Sequence, residues 1–395
     1  MSGPKQDPGS LVLLAGEASG DRLGAELTDE LRRRFPDLKL AGVGGERMRA
    51  AGVDCWHDCQ ELAVMGFAEV FAHLPRLLKL RRGLTRRLLS NPPAAFVGID
   101  APDFNLGLAR RLKARGVPTV QYVSPSIWAW RQGRAAKIGR CVDLVLTLFP
   151  FEPAIYQQHG VPARFVGHPS AHRLPLEPDI TAARQALDLV PDRRVVALLP
   201  GSRMAEIKRL GNILARCAKA LIARYPDLQL VTPTASDAGA RLYRDQLATA
   251  GMLDRVVLAP GRSFEALTAA DAAIVASGTA TLEALLCKTP MVVTYRVSPV
   301  SLAIVRALRM MKVDQFSLPN ALADEQLVPE LMQNDATPEK LVAAVVDLLD
   351  NEAMREATVA RFTEIHQSLR ADLSAAQALE EFLDLSPGPL QGDQP

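Results

Sequence analysis

The chain has 395 residues, 48% of them hydrophobic and 23% charged, with a formal net charge of +2. That length suits about two domains, and the composition excludes a disordered, collagen-like or disulfide-stapled chain. Charge is uneven: residues 1–170 carry 23 basic and 16 acidic side chains, and the remainder carries 23 and 28. Either the first half faces an anionic surface or substrate, or two solvated faces differ by chance.

Residues 1–9 are polar, contain Pro4 and Pro8, and read as a loose tail without a signal peptide. No apolar run reaches the roughly 18 residues needed to span a bilayer, so a cytoplasmic protein is expected. Residues 11–15 form an apolar run that reads as a buried strand. It feeds a helix with Leu23, Leu27 and Leu31 on one face. Further strands are expected at 38–43, 95–99, 118–123, 143–148 and 163–166, with a helix at 108–114. After Pro175 and Pro178 the pattern restarts. Strands are expected at 195–199, 228–231, 256–258, 272–275 and 291–294, with a helix at 206–224. Strands alternating with helices imply parallel sheets and the α/β class. The predicted domains are 10–175 and 176–345, both Rossmann-like. Helices at 346–385 either cross back to the first domain or are exchanged in a dimer.

Five cysteines, Cys55, Cys59, Cys141, Cys217 and Cys287, lie mostly in or beside apolar stretches and read as free thiols. Cys55 and Cys59 have metal-ligand spacing, but no second ligand cluster follows them. The six histidines are scattered and read as structural.

In open parallel sheets ligands bind beyond the carboxyl ends of the strands, so the loops there carry the chemistry. Gly16-Glu17-Ala18-Ser19-Gly20-Asp21 lacks a dinucleotide fingerprint, and Glu17 and Asp21 would repel a pyrophosphate. A sugar site involving Glu17 and Ser19 fits better; a plain strand-to-helix turn is the alternative. In Gly98-Ile99-Asp100-Ala101-Pro102-Asp103-Phe104-Asn105, two carboxylates follow a buried strand. One reads as a helix cap and one as a general base. Pro200-Gly201-Ser202-Arg203 offers backbone N–H groups and a guanidinium to a diphosphate, unless Ser202 only caps the next helix. Ala276-Ser277-Gly278-Thr279 opens another helix, where small hydroxylic residues suit phosphate oxygens and Glu283 suits ribose hydroxyls. A capping box ending at Glu283 competes with that reading. No Asp or His pair beside these loops has metal spacing, so no metal or cofactor is expected, and Arg203 with helix N-termini would neutralise a nucleotide leaving group.

Residues 65–89 interleave apolar side chains, among them Phe71, Leu74, Leu77 and Leu78, with Arg76, Lys79, Arg81, Arg82, Arg86 and Arg87. Such a segment can lie against anionic lipid or hold acyl chains. The alternative is a helix packed on its own sheet with a solvated basic face. Nucleic acid is disfavoured, because no recognition motif or aromatic platform accompanies the charge.

Together with Ala63-Val64-Met65-Gly66, Tyr122-Val123-Ser124-Pro125-Ser126-Ile127-Trp128-Ala129-Trp130-Arg131 and Ser317-Leu318-Pro319-Asn320, these loops occur in an order that resembles the lipid-A-disaccharide synthase family. The resemblance runs from about residue 11 past 330. It implies a GT-B fold, two Rossmann-like domains facing across a cleft. It implies transfer of 2,3-diacylglucosamine from its UDP derivative to 2,3-diacylglucosamine 1-phosphate, without a metal, at the cytoplasmic face of the inner membrane of a Gram-negative bacterium. It places an essential carboxylate at Asp100 and polar groups at Ser202, Arg203 and Asn320; Asp103, in the same loop as Asp100, is expected at the acceptor or sugar site with Glu17 and Ser19. Family members can form dimers with exchanged C-terminal segments. Rival readings are a UDP-sugar epimerase on the same scaffold and a non-catalytic membrane scaffold. A dinucleotide dehydrogenase is disfavoured by the missing glycine fingerprint.

Overall fold

The computed structural model of the chain describes residues 7–62, 67–125, 127, 132–297 and 316–385, with backbone alone at 7–9, 18, 67–74 and 132. The stretches 63–66 and 128–131, Ser126, and the side chains of Phe71 and Leu74 therefore lie outside the described residues, as do 1–6 and 386–395. The chain divides into two compact units, one of Met1–Pro169 with Leu369–Pro395, the other of Ser170–Ser368.

The first unit is built on β1 (Asp7–Ala15), β2 (Lys39–Gly44), β3 (Asp54–Asp58), β4 (Pro93–Ile99), β5 (Thr119–Tyr122), β6 (Leu144–Thr147) and β7 (Ala163–Phe165). All pair in parallel, in the order β3-β2-β1-β4-β5-β6-β7. Strand β1 shows why its run is wholly apolar. Leu11, Leu13 and Ala15 enter one core cluster and Val12 and Leu14 the other, so both faces of the sheet are covered. Helices α1 (Ala18–Arg34), α2 (Glu46–Ala50), α3 (Phe67–Ser90) and α4 (Pro102–Lys113) follow β1, β2, β3 and β4. The polar start expected to be loose through residue 9 is partly strand, since Asp7 pairs with Pro93.

The second unit carries β8 (Val195–Leu199), β9 (Gln229–Thr234), β10 (Val256–Pro260), β11 (Ala272–Ala276), β12 (Met291–Tyr295) and β13 (Glu330–Met332). These are also parallel, in the order β10-β9-β8-β11-β12-β13. The helix Met204–Arg224 turns Ile207, Leu210, Leu214, Ala218 and Leu221 onto this sheet.

The C-terminal helices expected at 346–385 are the end of Pro338–Asp350, then Glu352–Ser368 and Ala375–Leu383. Ser374 caps the last, accepting from the Gln377 N–H at 3.1 Å. That last helix packs in the first unit, where Ala376 and Leu379 join the cluster of Leu27 and Leu31. Its Glu380 pairs with Arg34, Nε to Oε2 at 2.8 Å, and its Glu381 pairs with Arg164.

In each sheet the strand order reverses beside the first strand, between β1 and β4 and between β8 and β11. Helices there leave to opposite faces, so the loops part and open a crevice.

Candidate active site

At the first reversal, Asp100 ends β4 half-buried and accepts a hydrogen bond from Ser19 Oγ at 3.2 Å. The loops after β1 and β4 thus meet as expected, through Ser19 and Asp100, while Glu17 is exposed. Asp100 and Ala101 both have positive φ, 53° and 39°. Left-handed backbone costs a non-glycine residue about 1–2 kcal/mol, and such strain gathers where a side chain must be aimed. Gly16 passes so close that a Cβ there would lie 2.2 Å from Ala101 Cβ.

The capping reading of this loop does not hold. Helix α4 has Ala101 at its N-cap and no side-chain cap. Asp103 is 97% exposed at its side chain and faces Arg134 at 3.6 Å. Asp21 is buried, and its carboxylate accepts from the backbone N–H groups of Gly45, Arg47 and Met48 at 2.6–3.1 Å. It therefore anchors the N-terminus of α2, where a carboxylate is favourable.

At the second reversal, Ser202, Arg203, Ser277, Gly278, Thr279 and Glu283 all line one cavity of ≈ 480 Å³. Gly201 (φ 112°) and Gly278 (φ 151°) supply backbone that other residues rarely adopt. A Cβ at Gly201 would lie 2.5 Å from the Glu206 carboxylate. That carboxylate accepts from the N–H groups of both Ser202 and Arg203 at 3.2 Å. The turn was expected to offer those amides to phosphate; they are spent on Glu206. What remains for a ligand is the Ser202 hydroxyl and the Arg203 guanidinium, which is 65% exposed and 3.3 Å from Glu206 Oε1. Arg203 is itself the N-cap, so Ser202 does not cap.

Helix Thr279–Leu286 has Gly278 at its N-cap with no side-chain cap, so the capping box to Glu283 is absent. Glu283 instead accepts from Ser263 Oγ at 2.9 Å. Ser263, Gly261 and Thr234 also line the cavity and were missed in the sequence. Their signal was position, since Thr234 ends β9 and Gly261 and Ser263 follow β10. Asn320 does not line the cavity. It is 1% exposed, its Nδ2 donates to Val328 O at 3.0 Å and Glu330 Oε1 at 2.8 Å, and its Oδ1 accepts from Val328 N–H at 2.8 Å. It braces the turn that carries Phe316 O, the acceptor of Ser277 Oγ at 2.7 Å.

Helix α3 packs its C-terminal half on the first unit through buried Leu84 and Leu88. Leu77, Leu78 and Arg81 are half-buried, and Arg82 is exposed. The packing reading therefore holds for the last turns, and a basic face remains outside. Among the described residues no helix is long and apolar enough to cross a membrane. All five cysteines are free; burial pushes the Cys59 thiol up to about 11. Cys55 and Cys59 belong to the edge strand β3 and the turn after it, and no metal-binding group of His, Cys, Asp or Glu forms among the described residues.

The model of the family described as lipid-A-disaccharide synthetase matches residues 11–382. The lipid-A-disaccharide synthase of Xanthomonas campestris pv. campestris (strain 8004) is 50% identical over 376 residues, 94% of this chain and 86% of its own length. That of Alkalilimnicola ehrlichii is 49% identical over 373 residues, covering 93% and 97%. Among solved structures, the Neisseria meningitidis UDP-GlcNAc 2-epimerase bound to UDP-GlcNAc superposes with a TM-score of 0.62 at 12% identity, covering 95% of this chain and all of that one. The calicheamicin glycosyltransferase does so at 0.60 and 17%, covering 96% and 99%. The likeness to an epimerase is one of fold, whereas the family match and the near-half identity single out one chemistry. The chain belongs to the lipid-A-disaccharide synthase family, glycosyltransferases of lipid A biosynthesis with the GT-B fold.

Proposed function

We propose that the chain transfers 2,3-diacylglucosamine from UDP-2,3-diacylglucosamine to 2,3-diacylglucosamine 1-phosphate, releasing UDP and the β1→6 disaccharide 1-phosphate. The observation that carries this reading is the convergence of Ser202, Arg203, Ser277, Gly278, Thr279 and Glu283 on one cavity. Its volume lies in the ordinary range for a small-molecule pocket. In this reading Arg203 and the start of helix Thr279–Leu286 stabilise the departing diphosphate, and Glu283 receives the ribose hydroxyls.

Asp100 is the base. It takes the proton of the acceptor 6-hydroxyl as that oxygen attacks the anomeric carbon opposite UDP, which inverts the linkage. Ser19, which donates to Asp100, and Glu17 and Asp103 in the loops after β1 and β4 are the acceptor-side groups. The basic outer face of α3, with Arg81, Arg82 and the apolar residues before them, meets the anionic inner-membrane surface and the acyl chains. The chain then works as a peripheral protein on the cytoplasmic face.

Mass spectrometry of a reaction containing both substrates and a chelator tests the reading. The expected product is the disaccharide 1-phosphate with UDP. An altered donor sugar in the absence of acceptor, or no product from the pair, overturns it.

A further inference from the structure

We propose that the buried carboxamides of Asn105 and Gln121 are positioning residues for Asp100, pinning the left-handed turn that aims its carboxylate. The inference rests on the reading of Asp100 as the base. Two successive non-glycine residues at positive φ do not hold that shape unaided. The ties that hold it are specific. Asn105, in α4 and fully buried, donates from Nδ2 to the Asp100 carbonyl at 2.8 Å and to Leu14 O at 3.2 Å. Gln121, in β5 and fully buried, donates from Nε2 to the same carbonyl at 3.0 Å and to Val123 O at 3.2 Å. Val123 is itself a β-branched residue at φ 75°.

The Asp100 N–H is held by Tyr122 O at 2.9 Å. Both peptide groups flanking the Asp100 Cα are thereby fixed, one by the sheet and one by two side chains. The direction of the Cα–Cβ bond follows from those two groups. Neither Asn105 Oδ1 nor Gln121 Oε1 accepts a hydrogen bond among the described residues. A hydrocarbon of similar size would leave no unpaired buried oxygen, so what these amides contribute is their N–H groups.

The test is a double-mutant cycle on the full chain, reading kcat, KM for both substrates and the thermal midpoint. Gln121→Met keeps the volume and removes the donor. It is expected to lower kcat by ~10–100-fold, as a displaced catalytic group does, with each KM within about twofold. In the Asp100→Asn background the same substitution should lower the residual rate by less than about threefold, because residues acting through one group are not additive. Undiminished kcat in Gln121→Met, or an equal loss in both backgrounds, overturns the proposal while leaving Asp100 as base. Full turnover in Asp100→Asn alone overturns the underlying reading instead. If circular dichroism shows Gln121→Met unfolded, Asn105→Leu, which removes the other donor to the Asp100 carbonyl at similar volume, carries the same cycle under the same criteria.

Discussion

Gly16 and Ala101 form a contact whose consequence can be isolated one methyl at a time. Gly16→Ala would place a Cβ 2.2 Å from Ala101 Cβ, which no rotamer change relieves. It should destabilise the protein by about 1–3 kcal/mol, in the range of overpacked cores, and lower turnover by displacing the Asp100 loop. Adding Ala101→Gly removes the opposing methyl, leaving Ala101 Cα 3.7 Å away. The double variant should regain most of the lost thermal midpoint, and a double variant no better than the single removes the contact as cause. Asp100→Asn should lower kcat by at least ~10²-fold, the usual worth of a general base, with the Kd for UDP unchanged in calorimetry. Normal turnover would pass the role to Asp103 or Glu17. At this scale the sequence was legible where a residue follows a strand, as Asp100, Ser202, Arg203 and Ser277 do. It was not legible where a polar residue spends its side chain on distant backbone. Asp21 is tied to Gly45 and Met48 and Asn320 to Val328, pairings that only the folded chain creates.

Elements carry the next lesson. Strands buried on both faces read directly as apolar runs, and β8 (Val195–Leu199) matches its expected bounds. The edge strands β3, Asp-Cys-Trp-His-Asp, and β13, three half-buried residues, lack that signature because their side chains are only partly buried. The corner after β6 shows what an element costs when it buries an acid. Glu152 opens helix Glu152–Gln157 at 2% exposure and accepts from Phe149 N–H at 3.1 Å. Burial lifts its carboxyl from 4.5 to about 7. Below pH 4.5 both folded and unfolded chains hold this proton, so nothing is lost. Between 4.5 and 7 the unfolded chain releases it first, and stability falls as pH rises, by about 3 kcal/mol in all. Glu152→Gln keeps a carbonyl acceptor for Phe149 and removes the titration. Urea unfolding at pH 5 and pH 8 should show a smaller pH difference in the variant and greater stability than the parent at pH 8. Equal pH differences in both proteins would show that Glu152 titrates normally.

For the molecule as a whole, ligand linkage separates the two units' roles. UDP bound only by the folded chain adds stability, about 2.7 kcal/mol at a hundredfold excess over Kd. Thermal scans with UDP should therefore rise for the parent and for Asp100→Asn, and rise much less for Arg203→Ala. A full shift in Arg203→Ala would take that residue out of the nucleotide site. Composition shows a basic first half, and the exposed arginines of α3 are part of it; the C-terminal helices were expected to cross back or to be exchanged in a dimer, and in this chain Leu379 joins the core around Leu27 and Leu31. That closure sets an order of events at the ribosome. The unit translated first lacks part of its interior until the helix Ala375–Leu383 has been made and has left the exit tunnel, whereas the unit translated second is continuous and can fold once Ser368 has emerged. A released chain ending at Ser368 should accordingly display a protease-sensitive amino-terminal half beside a protease-resistant second unit.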